Sequence, residues 1–551
     1  TNKGYMGVYF HNEDALEWVQ IDDLIIGETG GDEFGVNVEM NSSGNTVIGS
    51  GIMAERAGFA GAGFAAVYGN PSVCIISGSS FNVASNDLGL LGLRNDQALE
   101  INTKFGAANF SYSPNKALTF SGFGIFLNNN TDILNQTVSS REDILPNGTI
   151  QTVSENKTDV TTQDNTLALF KLSSSYVPST RVHLDYDVLF KVSDQNELQN
   201  TNSNLLGVLS TEKTQKPNSL NQNLNYYYTL NDKHIFSFES QYLYQDEDPF
   251  YNAVLVNDPT AEDAFDNTAL ALGLDSSLNN YNLGQNRTIK SNQLDAKLDY
   301  YYIINPKSNL NLTLGTILSR QEFNSDIFQS LLNNTPFKPT PNFNNGRATN
   351  NIDYNFRDVY LGVHYRVRTG KFTFTPGFSV HAYGNKNTQN NELVQDNLIR
   401  LLPDFETRIQ IKKGESLTLN YKMQNQFTDV TKLASGLVLN NYNSIQYGAP
   451  DLQNALSHNL SLLYSSFNLF NYTNVFARIA YSSNIDQIRG LTNFENIIRT
   501  STFFNSSFAN ENLNGFGRVQ RTFGKVRVSI NAAVNYSEIN QFIQNLPTVN
   551  K

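Results

Sequence analysis

Apolar and polar residues alternate along much of this chain. After Arg181, one parity carries Val182, Leu184, Tyr186, Val188 and Phe190, and the other carries His183, Asp185 and Asp187. Phe236, Phe238, Tyr242 and Tyr244 oppose Ser237, Glu239 and Gln241 in the same way. Leu456, Leu460, Leu462 and Tyr464 oppose Ser457, Asn459 and Ser461, and Val526, Val528, Ile530, Val534 and Tyr536 oppose Arg527, Ser529, Asn531 and Asn535. A period of two is that of a β-strand with one apolar face. A slip of one residue would turn each apolar set to the wrong side, so the facing is firmly specified.

Nine short turn signals punctuate this pattern: GNP (69–71), SPNK (113–116), VPST (177–180), LNDK (230–233), INPKS (304–308), RTGK (368–371), KKGES (412–416), FNYTN (470–474) and TFGK (522–525). Gly, Pro, Asn and Asp supply the backbone angles that tight hairpins require. The signals recur about every 45 to 75 residues, too widely for a meander of short strands. Between them the reading is strand, long polar loop, strand, with the longest loops at 128–164, 193–219, 245–293, 322–351 and 425–457. Segments around Val36–Met40 and Val47–Glu55 add two further strands.

The apolar face must lie against either a core or lipid. Expected strands of about 10 to 15 residues exceed the usual length in soluble sheets. Short and long connections alternate, as when the two ends of a barrel face different compartments. Tyr226-Tyr227-Tyr228 and Tyr300-Tyr301-Tyr302 fall near strand ends, where an interfacial aromatic girdle would lie. These features predict an all-β fold: a large antiparallel transmembrane β-barrel of about 18–22 strands, with short periplasmic turns and long extracellular loops. Residues 1–34 read as an N-terminal segment, either a plug remnant or a lumenal or periplasmic piece, and residues 35–551 as the barrel. Gln541 to Lys551 is not the apolar strand with a terminal aromatic on which such a barrel ends, which points to final strands absent from the chain.

Composition narrows the function. The 551 residues include 27 Tyr and 36 Phe but one Trp, and charged residues are only 16%. The net charge of −12, without a Lys/Arg cluster, argues against nucleic-acid binding. One cysteine, Cys74, excludes an intrachain disulfide and a thiolate metal cluster, and reads as a small strand residue. No run of 18 apolar residues occurs, which excludes a transmembrane helix but not a barrel.

The stretch YGAPDLQNALSHNLSLLYSSFN (447–468) resembles TonB-dependent receptors, which carry a Gly-Asn-Pro-Asp-Leu turn followed by a Ser-x-Asn/Glu strand. Gly448, Pro450, Asp451, Leu452, Ser457 and Asn459 match, while Ala449 and Asn454-Ala455 depart. Residues 500–542 are similar to the late hairpins of the family's large outer-membrane β-barrel branch. The resemblance implies the outer membrane of a Gram-negative bacterium. It also implies uptake of a nutrient (glycan, peptide or metal chelate), and a TonB-type energiser if a plug exists. Ile21 to Gly27 fits the family's plug-to-barrel segment only loosely, and no TonB box is identifiable. The alternative is a non-transporting barrel that serves as scaffold or accessory subunit of an outer-membrane secretion or assembly complex. Expected partners are outer-membrane lipid and other outer-membrane proteins or lipoproteins bound through the long loops.

No constellation selects catalysis. The six histidines show no HExxH or paired metal spacing. His183 with Asp185 and Asp187 is the best triple, and its plain reading is a hydrated barrel interior. The Gly-rich stretch 48–70 lacks the Gly-Lys-Ser/Thr ending of a phosphate loop. QDEDPF (245–250) gathers carboxylates without an EF-type ligand series. PTAEDAFDNTALALGLD (259–275) predicts a short helix within a loop. The expectation is therefore no catalytic residue, no cofactor and no metal site, with binding carried by the loops.

Overall fold

The computed structural model describes the chain from Ala98 to Asn550, apart from 145–149, 257–264, 339–348 and a few shorter stretches, and before Ala98 only short strands. Cys74, the GNP turn and most of the Gly-rich stretch lie outside the described residues. Two compact units are present, Thr1–Ser77 and Gly78–Lys551. In the first, Tyr9–Asn12 pairs with Glu17–Gln20. The segments expected near Val36–Met40 and Val47–Glu55 appear as Asn37–Met40 and Thr46–Gly51, which form a three-stranded antiparallel sheet with Phe64–Gly69.

The second unit is a β-barrel. From Ala98–Asn115 to Val526–Ile543, sixteen long strands follow one another as antiparallel neighbours. Eight shorter strands complete the ring order, so wall strands alone and all strands together bracket the expected 18–22. The strand order closes the ring. The first and last wall strands are nonetheless exposed along most of their described length, so the seam between them is the least buried part of the wall.

The expected turns hold where the structure describes them. Strand pairs meet across Lys116–Ala117, Thr180–Arg181, Asp232–Lys233, Pro306–Lys307, Gly370–Lys371, Lys413–Gly414 and Gly524–Lys525. In outer-membrane barrels this short-turn end is periplasmic. Beside it the two tyrosine triplets flank the strand His234–Glu247 on either side. His234 and Phe236 stand between them, with Phe236 and Tyr300 at 5.1 Å and His234 and Tyr302 at 5.3 Å.

At the other end much of what polarity suggested was loop is strand. Leu118–Ile144 and Ile150–Ser179 run 27 and 30 residues, straight through the expected loop at 128–164. The reason is an inversion of polarity at the membrane boundary. In Ser308–Ser330 the outward positions are Leu310, Leu312, Leu314, Thr316 and Leu318, then Arg320, Glu322, Asn324 and Asp326. In Thr349–Thr369 they are Val367, Tyr365, Val363, Leu361 and Val359, then Arg357, Asn355, Asp353 and Asn351. Register places Thr316 opposite Val359 and Arg320 opposite Asn355, so the switch falls at one level. Leu310 to Leu318 covers about 26 Å along the strand, about 20 Å of height at the usual tilt, which is most of the roughly 25 Å apolar band of such barrels.

From near that level upward, apolar residues also appear on the inward face. Ile317, Phe323 and Ile327 on one strand, and Ile352, Tyr354 and Phe356 on the next, are all buried. Ser319, Gln321, Ser325 and Gln329 share the inward face of the first strand, so the reversal is partial, but the apolar residues still need a cover inside.

Candidate functional site: an insert in the barrel mouth

The cover is the connection between Glu415–Gln426 and Ala455–Asn468. These wall strands pair directly, with Gln426 opposite Ala455, so a tight turn would join them. Instead residues 427–454 fold into the lumen. Asp429 caps a single helical turn, Val430–Leu433, its carboxylate accepting the Thr431 amide at 2.8 Å. A small hairpin follows, Leu437–Asn441 against Ser444–Tyr447. Leu433, Ala434, Leu437, Val438, Leu439 and Ile445 are all nearly or fully buried.

Two apolar clusters receive them. Leu437, Leu439 and Ile445 pack with Leu209, Tyr251, Leu255, Tyr281 and Leu283 and with Phe265, Ala269 and Leu272 beside or within the helix Asp266–Leu272. That helix fulfils the one expected in 259–275. Val430, Leu433, Ala434 and Val438 pack with Ile317, Phe323, Ile352, Tyr354, Phe356 and Tyr383.

Side-chain amides from consecutive wall strands hold the backbone of the insert. Asn350 accepts the Gly436 amide at 2.8 Å and donates to the Leu437 carbonyl at 3.1 Å. Gln389 accepts from Ser435 and donates to Leu433, both at 3.0 Å. Gln285 accepts from Leu439 at 3.2 Å. Gln329 grips Asp275, beyond the helix, at both its amide and its carbonyl, at 2.7 and 2.9 Å. Each amide acts as a one-residue strand edge, satisfying buried backbone groups that would otherwise cost about 1–3 kcal/mol apiece. Tyr251 adds its hydroxyl, which accepts the Tyr442 amide at 2.9 Å. Burial holds that phenol well above the usual tyrosine range, so it stays neutral.

Glycine permits the closest approaches. A Cβ at Gly436 would lie 2.3 Å from the Thr349 carbonyl oxygen, and one at Gly448 would lie 2.2 Å from that of Lys432. Gly448 to Asp451 is therefore where the insert closes on itself and returns to the wall, with the Pro450 carbonyl accepting from Asn387 at 3.2 Å. The following strand faces as its alternation predicts. Ser457 is buried inside, while Leu460 is 42% exposed outside.

Below the insert the lumen is polar. Lys297 pairs with Glu239 at 3.1 Å and Asp299 at 3.5 Å, and His364 meets Asp404 at 2.9 Å. The best candidate triple does not assemble as one: His183 pairs with Asp185 at 2.9 Å, but Asp187 turns to Ser173 and to Lys171. A different set has the contact order of a nucleophilic triad. His381 meets Asp358 through Nδ1 at 2.9 Å and Ser379 through Nε2 at 2.9 Å. Histidine and aspartate are fully buried, Tyr360 and Tyr383 stack on the ring, and Ser379 lies in strand ladders to Gly362 and Leu402 that occupy backbone amides. With those amides engaged, the backbone offers no donor pair for an oxyanion, and the geometry is that of a buried polar ladder. Sequence spacing missed this set because Asp358 reaches it only across the sheet. The QDEDPF carboxylates separate, Asp246 to Lys290 at 3.4 Å and Asp248 to the Lys216 amide at 2.8 Å. No group of three or more metal-ligating side chains gathers among the described residues.

An apolar belt outside, a polar lumen, short turns at one end and a filled mouth at the other define an outer-membrane β-barrel of a Gram-negative bacterium. The sequence profile of the outer membrane protein beta-barrel family matches residues 248–551, more than half of the chain, and the chain belongs to that family. No curated protein matches it in sequence. Among solved structures it is similar to the outer membrane transporter YddB from Escherichia coli, at 9% identity and TM-score 0.45, over 80% of this chain and 55% of that one. It is also similar to the copper transporter OprC, at 10% identity and TM-score 0.46, over 89% and 66%. The hemophore receptor HasR of Serratia marcescens, solved with its hemophore HasA and heme, matches at 10% identity and TM-score 0.45, over 90% and 69%. The chain thus spans between about half and two thirds of the first two.

Proposed function

We propose that this barrel is a receptor-like outer-membrane transporter that takes up a nutrient too large for porins, and that the insert at 427–454 is its gate. One observation carries the reading: wall amides and two apolar clusters hold a removable connection inside the lumen. A structural strut would need no such fitted seat between strands that already pair directly. The cargo is a glycan, a peptide or a metal chelate. Energy comes through a TonB-type partner if a plug exists, with residues 1–34 as plug remnant or as lumenal or periplasmic segment. The protein is not an enzyme in this reading, and its lumenal histidines are structural.

The test is electrical. In planar bilayers the chain should hold no steady pore, whereas a variant with 427–454 replaced by an Asn-Gly turn should conduct ions. The filled mouth also suits a non-transporting scaffold for a secretion or assembly complex. A turn variant that assembles normally but does not conduct would favour the scaffold and sink the gate.

A further inference from the structure

The tip of the insert, Asn441-Tyr442-Asn443, forms one side of a cavity of about 460 Å³. The other side is the inward face of the strands Ile150–Ser179, Val182–Ser203 and Gly207–Gln215, all above the apolar belt. The volume lies within the range of small-molecule sites. Its chemistry is more telling than its size. Lys157 and Lys213 line it, each backed by a buried carboxylate: Asp159 lies 2.9 Å from Lys157, and Glu197 lies 2.8 Å from Lys213. Glu155 lines it too, accepting from Ser203 at 2.7 Å. Gln199, Asn441 and Asn443 contribute amides, and Tyr442 contributes a ring.

Each class of cargo would need a different lining. A polyanionic chelate would meet the Glu155 carboxylate and two lysines each already paired with a buried carboxylate, and gain little. A neutral sugar needs hydroxyl partners and a ring but has no use for separated charges of both signs. Ammonium and carboxylate groups a few bonds apart, joined by amides, match what is present: Glu155 for the ammonium, the lysines for the carboxylate, Asn and Gln for the peptide groups. We propose that this cavity binds a short peptide with free termini and that Tyr442 places the ligand directly against the gate. The peptide thereby becomes the cargo class of the transporter reading, on which this inference rests.

Binding to the purified full chain in detergent tests it, with Ala-Ala-Ala as probe. Its N-acetylated form, its C-amidated form and maltotriose are the comparisons. Free trialanine should bind, and blocking either terminus should weaken binding about tenfold, as when one partner of a partly desolvated charge pair is removed. Lys157→Gln combined with Lys213→Gln should abolish the preference for the free carboxylate while keeping that for the free amine. Glu155→Gln should do the reverse. This crossed pattern cannot arise from unfolding, which would remove both preferences together. Equal binding of free and blocked peptides overturns the proposal, as does binding of maltotriose alone or of none. The outcome is independent of conductance: peptide binding without a conducting turn variant would leave this site standing and the gate refuted.

Discussion

Replacing Asn350 by Leu tests the hold on the insert most directly. The substitution keeps the forked shape of the side chain but removes its acceptor and its amide donor, which also serves the Ser325 hydroxyl in the wall at 2.8 Å. It leaves the Gly436 amide and the Leu437 carbonyl without the partners they have at 2.8 and 3.1 Å. Both groups sit in buried residues. Each unmade bond costs about 1–3 kcal/mol, and relaxation of the segment recovers part, so the insert should be weakened by about 2–4 kcal/mol. The wall strand itself keeps its ladders to Asp326–Ser308 and to Phe372–Gln389. Native-state hydrogen exchange reads this locally. Amides of residues 435–439 should exchange roughly 30- to 1,000-fold faster, by the conversion of about 1.4 kcal/mol per tenfold, while those of 352–364 stay protected. Because the segment opens as a unit, Gln389→Leu should accelerate the same amides even though its own partners are Leu433 and Ser435. Acceleration confined to Gly436, or spread equally over the wall, would refute a gate held by cooperating amides.

The membrane facing is tested by Leu462→Arg against Ser461→Arg: the first should impair barrel assembly by about 2–4 kcal/mol near the midplane, and equal heat-modifiable mobility of the two would contradict it. Phe323→Asp should loosen the insert without hindering membrane assembly, whereas Leu314→Asp should hinder assembly, read by conductance and by gel mobility respectively. Gly448→Ala, whose Cβ would meet backbone at 2.2 Å, should open the mouth and raise conductance with the wall intact. His381→Ala strands the fully buried Asp358 and should cost about 3–5 kcal/mol in unfolding. Fluorophosphonate should leave Ser379 unlabelled, and labelling there would revive the enzyme class.

Within the belt the alternation of 182–190, 236–244, 456–464 and 526–536 already states fold and facing. Lipid outside and water inside impose opposite preferences on adjacent residues. The turns are legible for the same local reason, since Asn, Gly and Pro set backbone angles by themselves. Above the belt that logic fails. Strands such as Ile150–Ser179 carry Thr, Asn, Asp and Gln on both faces, because their outward side meets water and their inward side meets polar neighbours. Composition there reads as loop, although lateral backbone pairing makes it strand. Gln285, Gln329, Asn350 and Gln389 gave no sequence signal, since one amide in a polar run looks like any other. Their role depends on a segment up to 154 residues away. Gly448 to Asp451 was visible as a turn, but what it turns out of was not.

The inversion of polarity carries a functional consequence. Ile352, Tyr354 and Phe356 point inward above the lipid, so uncovering the upper wall exposes apolar surface to water at a free-energy cost, although its backbone ladders remain. Wall and insert therefore stabilise each other, and a gate that left the lumen altogether would expose both. The small strand Leu437–Asn441 resolves this by its own period of two. Leu437 and Leu439 belong to the cluster with Tyr251 and the helix, and Val438 belongs to the cluster with Phe356. One strand buried on opposite sides by alternate residues can part from one cluster while staying seated on the other. The side bearing Leu209 and Tyr251 is also the side of the cavity at Tyr442, so a ligand bound there acts on the seam that must part. On the gate reading, opening is a swing about the seat of Val438 in the cluster with Phe356. Conductance triggered by ligand should accordingly survive Leu439→Ala but be lost, in favour of a constantly open pore, in Val438→Asp.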